Sequence, residues 1–171
     1  MKQQEIKLQI APNPIFRKRA MRVEHVDDEI KQIVESMFEI MYENESVGIG
    51  ANMVGVLKRI IVVDLQEKRK SVPFAMINPI IVFKSKEMQK FEEGSISYPG
   101  IKAIVERPDE IRVEYTDCEG EAQIMEAEGW LAAVIQHEID YLDGKIFLDY
   151  VPTVIRKILL KKMEKHLKHN K

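Results

Sequence analysis

The chain has 171 residues, of which 45% are hydrophobic and 32% are charged, with 26 basic and 28 acidic side chains. This composition predicts one globular domain over residues 1–171 and excludes a disordered chain. No run approaches the ~20 apolar residues that a membrane-spanning helix needs, and the single cysteine excludes a disulfide framework. The first ten residues lack the apolar segment of a signal peptide, so we expect a cytoplasmic protein.

The first predicted element is an amphipathic helix over residues 26–44. Its apolar residues recur at intervals of three and four, and acidic residues lie at its amino-terminal end, where the helix dipole favours them. Strands are predicted next at residues 59–65 and 74–83, which are rich in β-branched side chains. A charged loop at residues 66–71 separates these two strands.

Two shorter strands are predicted at residues 101–105 and 111–115, with a break at residues 107–109. Residues 117–120 are typical of a hairpin turn, and a helix is predicted at residues 127–142. The order of a helix, several strands and further helices favours an α+β fold over a doubly wound sheet, which needs helices between its strands.

Residues 151–171 predict a basic carboxy-terminal helix behind Pro152. From Arg156 onward the chain contains seven lysine and arginine residues and one glutamate. This gives the segment a net charge of +6 and leaves −8 for the rest of the chain. Two interpretations stay open: a surface helix whose cations favour the helix dipole, or a docking helix for an acidic or RNA-rich partner. Its apolar side chains at helical spacing are Ile155, Ile158, Leu159 and Met163.

The helix at residues 127–142 carries His137 followed by Glu138. In an H-E-x-x-H segment, two histidines on one helical face bind a metal ion and the glutamate reaches the metal-bound water. Tyr141 stands at the position of the second histidine in this chain. The helix alone is therefore weak support for a metal site.

Three segments resemble the motifs of peptide deformylases. Residues 93–100 (EGSISYPG) resemble E-G-C-L-S-x-P-G, and residues 136–144 (QHEIDYLDG) resemble Q-H-E-x-D-H-L-x-G. Residues 46–53 (SVGIGANM) are an altered form of G-x-G-L-A-A-P-Q. Because these segments keep the family's order and separations, the chain is identified as a member of that family. The resemblance implies one deformylase-like α+β domain, with antiparallel sheets around a central helix and further helices at both ends.

The resemblance also implies a chemistry. Peptide deformylases remove the formyl group from the initiating methionine of nascent proteins, using Fe²⁺ or Zn²⁺ held by one cysteine and two histidines. By position, the resemblance implies that His137 is a metal ligand and that Glu138 is the general acid and base. It likewise implies that Gly48 holds the substrate main chain and that the backbone N–H of Ile96 stabilises the oxyanion.

Three positions depart from the family pattern. Ser95 replaces the cysteine ligand, Tyr141 the second histidine ligand, and Met53 the glutamine that donates to the oxyanion. A serine hydroxyl and a phenol with a reference pKa near ~10 are poor ligands, and methionine donates no hydrogen bond. We therefore expect a site without metal and without efficient deformylase activity, as in a pseudoenzyme. Two alternatives remain: an active deformylase that retains Fe²⁺ or Zn²⁺, and a metal-free hydrolase with Ser95 as nucleophile and His137 as base.

A pocket for a methionine side chain is predicted beside these residues. Helical spacing places Trp130, Ala133 and Val134 on the face of His137, and we expect Val47 and Phe91 to complete the wall. Trp130 is equally compatible with a core position. The partners that the resemblance implies are a formyl-methionyl or other peptide amino terminus and, through the basic helix, the ribosome. Neither DNA nor a membrane is expected, and Cys118 is expected to be a surface thiol.

Overall fold

The computed structural model describes residues 5–68 and 72–171. The predicted charged loop at residues 66–71 therefore lies partly outside the described residues, as do the first four residues of the amino-terminal segment. The described helices are α1 (Asp28–Glu43), α2 (Gly129–Leu142) and α3 (Thr153–His169). The described strands are β1 (Gly48–Gly50), β2 (Ile60–Val63), β3 (Phe74–Lys84), β4 (Met88–Ser95), β5 (Tyr98–Pro108), β6 (Glu110–Thr116) and β7 (Ala122–Glu128).

The strands form two antiparallel sheets. Five strands pair in the order β1-β2-β3-β6-β7, and β4 pairs with β5 in a separate hairpin. In the larger sheet every residue of β2 is buried, with Ile61 opposite Met76 of β3. These sheets and helices confirm the predicted α+β class. Within residues 5–68 and 72–171, no helix has the length and hydropathy needed to cross a bilayer.

Helix α1 confirms the first predicted element, two residues shorter at its start and one at its end. The Asp27 side chain accepts a hydrogen bond of 3.0 Å from the Ile30 N–H and so begins the helix. The helix buries one apolar face, as the intervals of three and four predict. The buried side chains on that face are Ile30, Ile33, Val34, Met37 and Met41.

Helix α2 is the central element and contacts strands of both sheets. Its side chains divide between the two hydrophobic clusters of the core: Tyr141 belongs to the larger one, and Val134 and Ile135 belong to the smaller one. The Gln136 amide ties the helix to the end of β5 by donating to the Pro108 carbonyl over 3.0 Å. The helix thereby holds its few polar side chains between two apolar clusters, where water is scarce.

The predicted break between two strands at residues 107–109 is too long. Strand β5 continues through Pro108, and only Asp109 separates it from β6. The charged residue Arg107 does not end strand β5, because its side chain points inward and is 3% exposed. The turn at residues 117–120 is confirmed between β6 and β7, and Cys118 in it is half-buried rather than a fully exposed surface thiol.

Helix α3 confirms the carboxy-terminal helix but not the whole of its predicted apolar face. Met163 is buried, whereas Ile155 and Ile158 are 45% and 58% exposed. The helix packs on β5 farther along its length, where the His166 ring lies directly against Gly100. Its first two turns therefore present apolar side chains to solvent.

Candidate active site

The three motif segments meet around one cavity of about 80 Å³. Strand β1 supplies Gly48, the helical turn Ala51–Val54 supplies Met53, and the end of β4 supplies Ser95. Helix α2 supplies His137 and Glu138. These residues lie far apart in sequence and converge because α2 packs on both β1 and the β4-β5 hairpin. The predicted site residues are therefore brought together by the fold.

Ser95 and Tyr141 are hydrogen-bonded to each other. The Ser95 Oγ and the Tyr141 phenol oxygen lie 2.7 Å apart, and the Ser95 Oγ also accepts the Ser97 N–H over 3.2 Å. Tyr141 is 0% exposed, and this burial raises its pKa well above the usual value, which outweighs the opposing bond with Ser95. Tyr141 is thus a neutral phenol at physiological pH.

His137 is held by a buried acid. Its Nδ1 lies 2.7 Å from a Glu93 carboxylate oxygen, and Arg107 pairs with both oxygens of Glu93 at 2.6 and 2.9 Å. Arg107 also donates to Asp140 over 2.8 Å, and Asp140 accepts the Tyr150 hydroxyl over 2.6 Å. The histidine ring is therefore fixed in orientation, with its Nε2 on the side of Glu138.

Charge pairing in this network overcomes the cost of burial. Desolvation alone would raise the pKa of Glu93, but hydrogen bonds from Arg107 and His137 hold that pKa below its usual range. Desolvation likewise opposes protonation of His137, yet the bond to Glu93 and the nearby carboxylates raise its pKa above the usual value. Both shifts favour the charged forms of the Glu93–His137 pair.

Glu138 lies in a different environment from Glu93. It is 4% exposed, and burial raises the pKa of its carboxyl to about 7 against the lowering effect of His137. Its Oε2 has no hydrogen-bond partner among residues 5–68 and 72–171. A carboxyl with a pKa near neutrality in a cavity is suited to accept and release a proton.

Gly48 and Ile96 line the cavity, where the resemblance put the substrate-binding backbone. A Cβ on Gly48 would lie 3.1 Å from the Glu138 Cγ, so glycine lets this strand approach the acid. Met53 is 1% exposed, and its Sδ accepts the Gly50 N–H over 3.4 Å. At the position of the family's glutamine the chain therefore offers an acceptor and no donor.

The apolar wall agrees with the prediction except at one residue. Val47, Trp130, Ala133 and Val134 line the cavity. Phe91 does not line it, because its ring packs edge-on against Trp130 with 5.1 Å between ring centroids. Trp130 is 38% exposed and stands at the mouth rather than in the core.

Comparison with known proteins agrees with this geometry. The family model for polypeptide deformylase matches residues 6–157. The chain belongs to the peptide deformylase family. A peptide deformylase-like protein of Rickettsia conorii is 53% identical over 158 residues, covering 92% of this chain and 86% of the relative. The peptide deformylase of Rhizobium meliloti is 41% identical over 160 residues, covering 93% and 92%.

Solved structures confirm the deformylase fold. The crystal structure of the peptide deformylase from Ehrlichia chaffeensis superposes with a TM-score of 0.92 at 35% identity, covering 96% of this chain and 98% of that one. The deformylase from Legionella pneumophila gives 0.91 at 32% identity, covering 96% of both chains. The antiparallel sheets around a central helix are therefore those of the family.

Peptide deformylases depend on a metal, and this chain carries Ser95 and Tyr141 at two of the three ligand positions. The two hydroxyls of Ser95 and Tyr141 satisfy each other, and Tyr141 is held neutral by burial. Only His137 remains of the three ligand positions, and the described part of the chain contains no group of three or more His, Cys, Asp or Glu side chains arranged for a metal. Thiolate and imidazole ligands, which Fe²⁺ and Zn²⁺ prefer, are reduced to one imidazole.

The predicted pairing of Ser95 with His137 is not formed. Ser95 bonds Tyr141, and the His137 Nδ1 is engaged by Glu93. The roles of Glu93 and Arg107 were missed by the interpretation of the sequence. Alternation along β4 places Glu93 on the same inward face as Phe91, and a charged residue on an inward face indicates a buried pair.

Proposed function

We propose that this chain binds the amino terminus of a peptide in the deformylase pocket and does not hydrolyse formyl amides efficiently. The observation that carries the proposal is the hydrogen bond between Ser95 and Tyr141, which occupies two of the three ligand positions with neutral hydroxyls. The retained pocket walls Val47 and Val134 and the retained backbone at Gly48 support peptide binding. We further propose that the protein acts in the cytoplasm, where nascent chains are found.

The test is a deformylase assay on formyl-Met-Ala-Ser after anaerobic loading with iron. We expect turnover by the unaltered chain to equal that of Glu138→Gln, because Glu138 has no metal-bound water to deprotonate when the ligand set is incomplete. The Ser95→Cys/Tyr141→His/Met53→Gln variant should exceed both, because one lost oxyanion donor alone costs on the order of 10²–10³ in rate. Turnover of the unaltered chain above the Glu138→Gln control would overturn the proposal.

The second candidate is an active, metal-dependent peptide deformylase. The comparisons favour this candidate over the first, because relatives named peptide deformylase are 41% and 44% identical over about nine tenths of the chain. The oriented His137 and a Glu138 carboxyl with a pKa of about 7 are also consistent with it. Iron or zinc would then have to be held by His137 with unusual oxygen ligands. The same assay separates the two candidates.

The metal-free hydrolase has weaker support than either candidate. A nucleophilic serine needs a base within hydrogen-bond reach, and Ser95 is bonded to Tyr141 instead of His137. Hydrolysis of formyl-Met-Ala-Ser in the presence of a chelator, lost in Ser95→Ala, would revive it.

We also propose that the basic helix α3 docks on the ribosome. Its outward face combines Val154 and Ile158 with exposed lysines. Deleting the helix would remove the buried Met163 and uncover the apolar core that it packs against, so charge reversal is the sharper test. The variant Lys157→Glu/Lys161→Glu/Lys165→Glu should lose co-sedimentation with ribosomes while keeping its melting temperature. Unchanged co-sedimentation would contradict this proposal.

A further inference from the structure

Strand β7 forms an open edge of the large sheet, on the side away from the cavity. The strand order begins with β1, which lines the cavity, and ends with β7, which pairs only with β6 among the described residues. Strand β7 is seven residues long, keeps an unbroken register with β6, and contains no proline or lysine. Bulges, prolines and lysines are the usual protection of such an edge, so the backbone of β7 is open to pairing with one further strand.

Two hydrogen bonds at the ends of the β6-β7 hairpin show which backbone groups of β7 face this open edge. The Gly129 N–H donates to the Asp109 carbonyl over 3.0 Å, and the Asp117 N–H donates to the Glu121 carbonyl over 2.9 Å. Residues of an antiparallel strand bond alternately to one neighbour and to the other. The odd-numbered residues of β7 therefore bond to β6, and the N–H and C=O groups of its even-numbered residues point away from β6.

The face of the sheet beside this edge carries uncovered apolar side chains. Ile124 of β7 and Ile80 of β3 are 64% and 54% exposed, and both lie opposite Glu114 of β6. Glu126 is the next residue of β7 on the same face, and it is also exposed. Cross-strand pairing at this edge therefore favours an apolar side chain opposite Ile124 and a cation opposite Glu126.

The charge of the hairpin determines which kind of strand can approach. Residues 109–128 contain eight acidic side chains and one arginine, a net charge of −7 in a chain whose total is −2. The arginine, Arg112, pairs with Glu126 over 2.7 Å and offsets only one of the eight acids. Two copies that paired through β7 would bring two such surfaces together, and their like charges would repel each other. The same field attracts a basic segment.

We propose that the β7 edge binds an extended basic segment of a partner protein, which adds a sixth, antiparallel strand to the large sheet. The even-numbered residues of β7 supply the main-chain hydrogen bonds, and their side chains select the sequence of the segment. The segment alternates, with lysine or arginine opposite Glu126 and Glu128 and an apolar residue opposite Ile124. This surface is at the opposite edge of the sheet from β1, so the proposal does not depend on peptide binding in the cavity.

The test is a fluorescence anisotropy titration of the unaltered protein with the amidated peptide Lys-Thr-Lys-Thr-Ile-Thr-Val-Thr, labelled at its amino terminus. We expect saturable binding and, by NMR, slowed hydrogen exchange at the backbone amides of Ile124 and Glu126. The peptide Glu-Thr-Glu-Thr-Ile-Thr-Val-Thr should not bind. N-methylation of the lysines and the isoleucine should abolish binding, because those N–H groups face β7, whereas N-methylation of the threonines should preserve it.

Two variants locate the surface. Ile124→Pro removes an outward N–H and none of the bonds to β6, so it should abolish binding while circular dichroism shows an intact fold. Glu126→Gln/Glu128→Gln should weaken binding about five- to tenfold. The matched control is Glu92→Gln/Glu106→Gln, two exposed acids of the β4-β5 hairpin, and it should leave binding unchanged.

Three kinds of result would overturn the proposal. The first is no binding of the basic peptide, or equal binding of the acidic one. The second is binding that survives N-methylation of the lysines and isoleucine or the change Ile124→Pro, or protection from exchange confined to residues outside β7. The third is an unaltered chain that sediments as a dimer without peptide while Ile124→Pro sediments as a monomer, because a second copy would then occupy this edge.

Discussion

The hydroxyl oxygens of Ser95 and Tyr141 lie 2.7 Å apart, where the deformylase family holds two of its three metal ligands. Because each hydroxyl is the other's partner and the phenol is kept neutral, binding a metal there would break a partly buried hydrogen bond without supplying an anion. We therefore predict that the purified protein contains iron, zinc and nickel well below one equivalent, as measured by inductively coupled plasma mass spectrometry.

The matched variant for this prediction is Ser95→Cys/Tyr141→His. His137 is already oriented by Glu93 at 2.7 Å, so the two substitutions should restore a three-ligand site and yield about one equivalent of metal. Cys118 lies in the hairpin turn and stays in both proteins, so it cannot account for a difference. One equivalent of metal in the unaltered chain would contradict the prediction.

A double-mutant cycle should measure the Ser95–Tyr141 bond directly. Ser95→Ala leaves the buried Tyr141 hydroxyl unpaired and is expected to lower the free energy of unfolding by about 1–3 kcal/mol. Tyr141→Phe leaves the half-buried Ser95 hydroxyl bonded to the Ser97 N–H and is expected to cost about 1 kcal/mol. The double variant should cost little more than Ser95→Ala alone, giving a coupling energy of about 1 kcal/mol. Urea denaturation measures all four proteins, and additive losses would show that the two hydroxyls do not interact.

Arg107 should matter more to stability than any exposed arginine. Its side chain is 3% exposed between Glu93 and Asp140, and Arg107→Met would leave both acids without their cation, at a cost of about 3–5 kcal/mol. The control is Arg112→Met on β6, whose side chain is 49% exposed beside Glu126 and whose loss should cost at most about 0.5 kcal/mol. Similar losses in the two variants, measured by urea denaturation, would refute the buried role of Arg107.

Asp149 should add a pH-dependent contribution to stability. Partial burial alone would raise the pKa of its carboxyl, but hydrogen bonds from Arg17 at 2.7 and 3.0 Å and from the Ile146 N–H hold the pKa below its usual range. The stabilisation is therefore present above the unfolded-state pKa near ~3.9 and is lost as the pH falls through the lower folded-state pKa.

The Asp149→Asn variant tests this sign. It should be less stable than the unaltered chain by about 1–2 kcal/mol at pH 7, and the difference should shrink as the pH falls below ~4. Guanidinium denaturation at a series of pH values measures it. A difference that grows toward acid pH would reverse the sign of the pKa shift.

Sequence pattern predicts α1, α2 and three of the five strands of the large sheet, β2, β3 and β6, but not the short β1 or β7. The apolar side chains of these elements face the core, so the apolar positions seen in the sequence are the buried positions of the structure. The β4-β5 hairpin was different. Glu93 and Arg107 break the apolar alternation of its inward face, and only their pairing across the hairpin allows both to be buried.

The candidate site was likewise predictable only in part. Motif order placed Ser95, His137 and Tyr141 around one centre, and the fold does bring them together. The sequence does not predict the hydrogen bond between Ser95 and Tyr141, because the two residues are 46 positions apart and no local pattern links them. The exposure of Ile155 and Ile158 was missed because helical spacing defines a face without showing which part of it is covered.

The network of Glu93, Arg107 and Asp140 around His137 has a consequence for how this lineage can change. It preserves the support of the family's remaining ligand although the other two ligands are gone. Tyrosine and histidine codons differ only in their first base, and most serine codons lie one base from a cysteine codon. Descendants of this gene therefore start as few as two base changes from a complete ligand set.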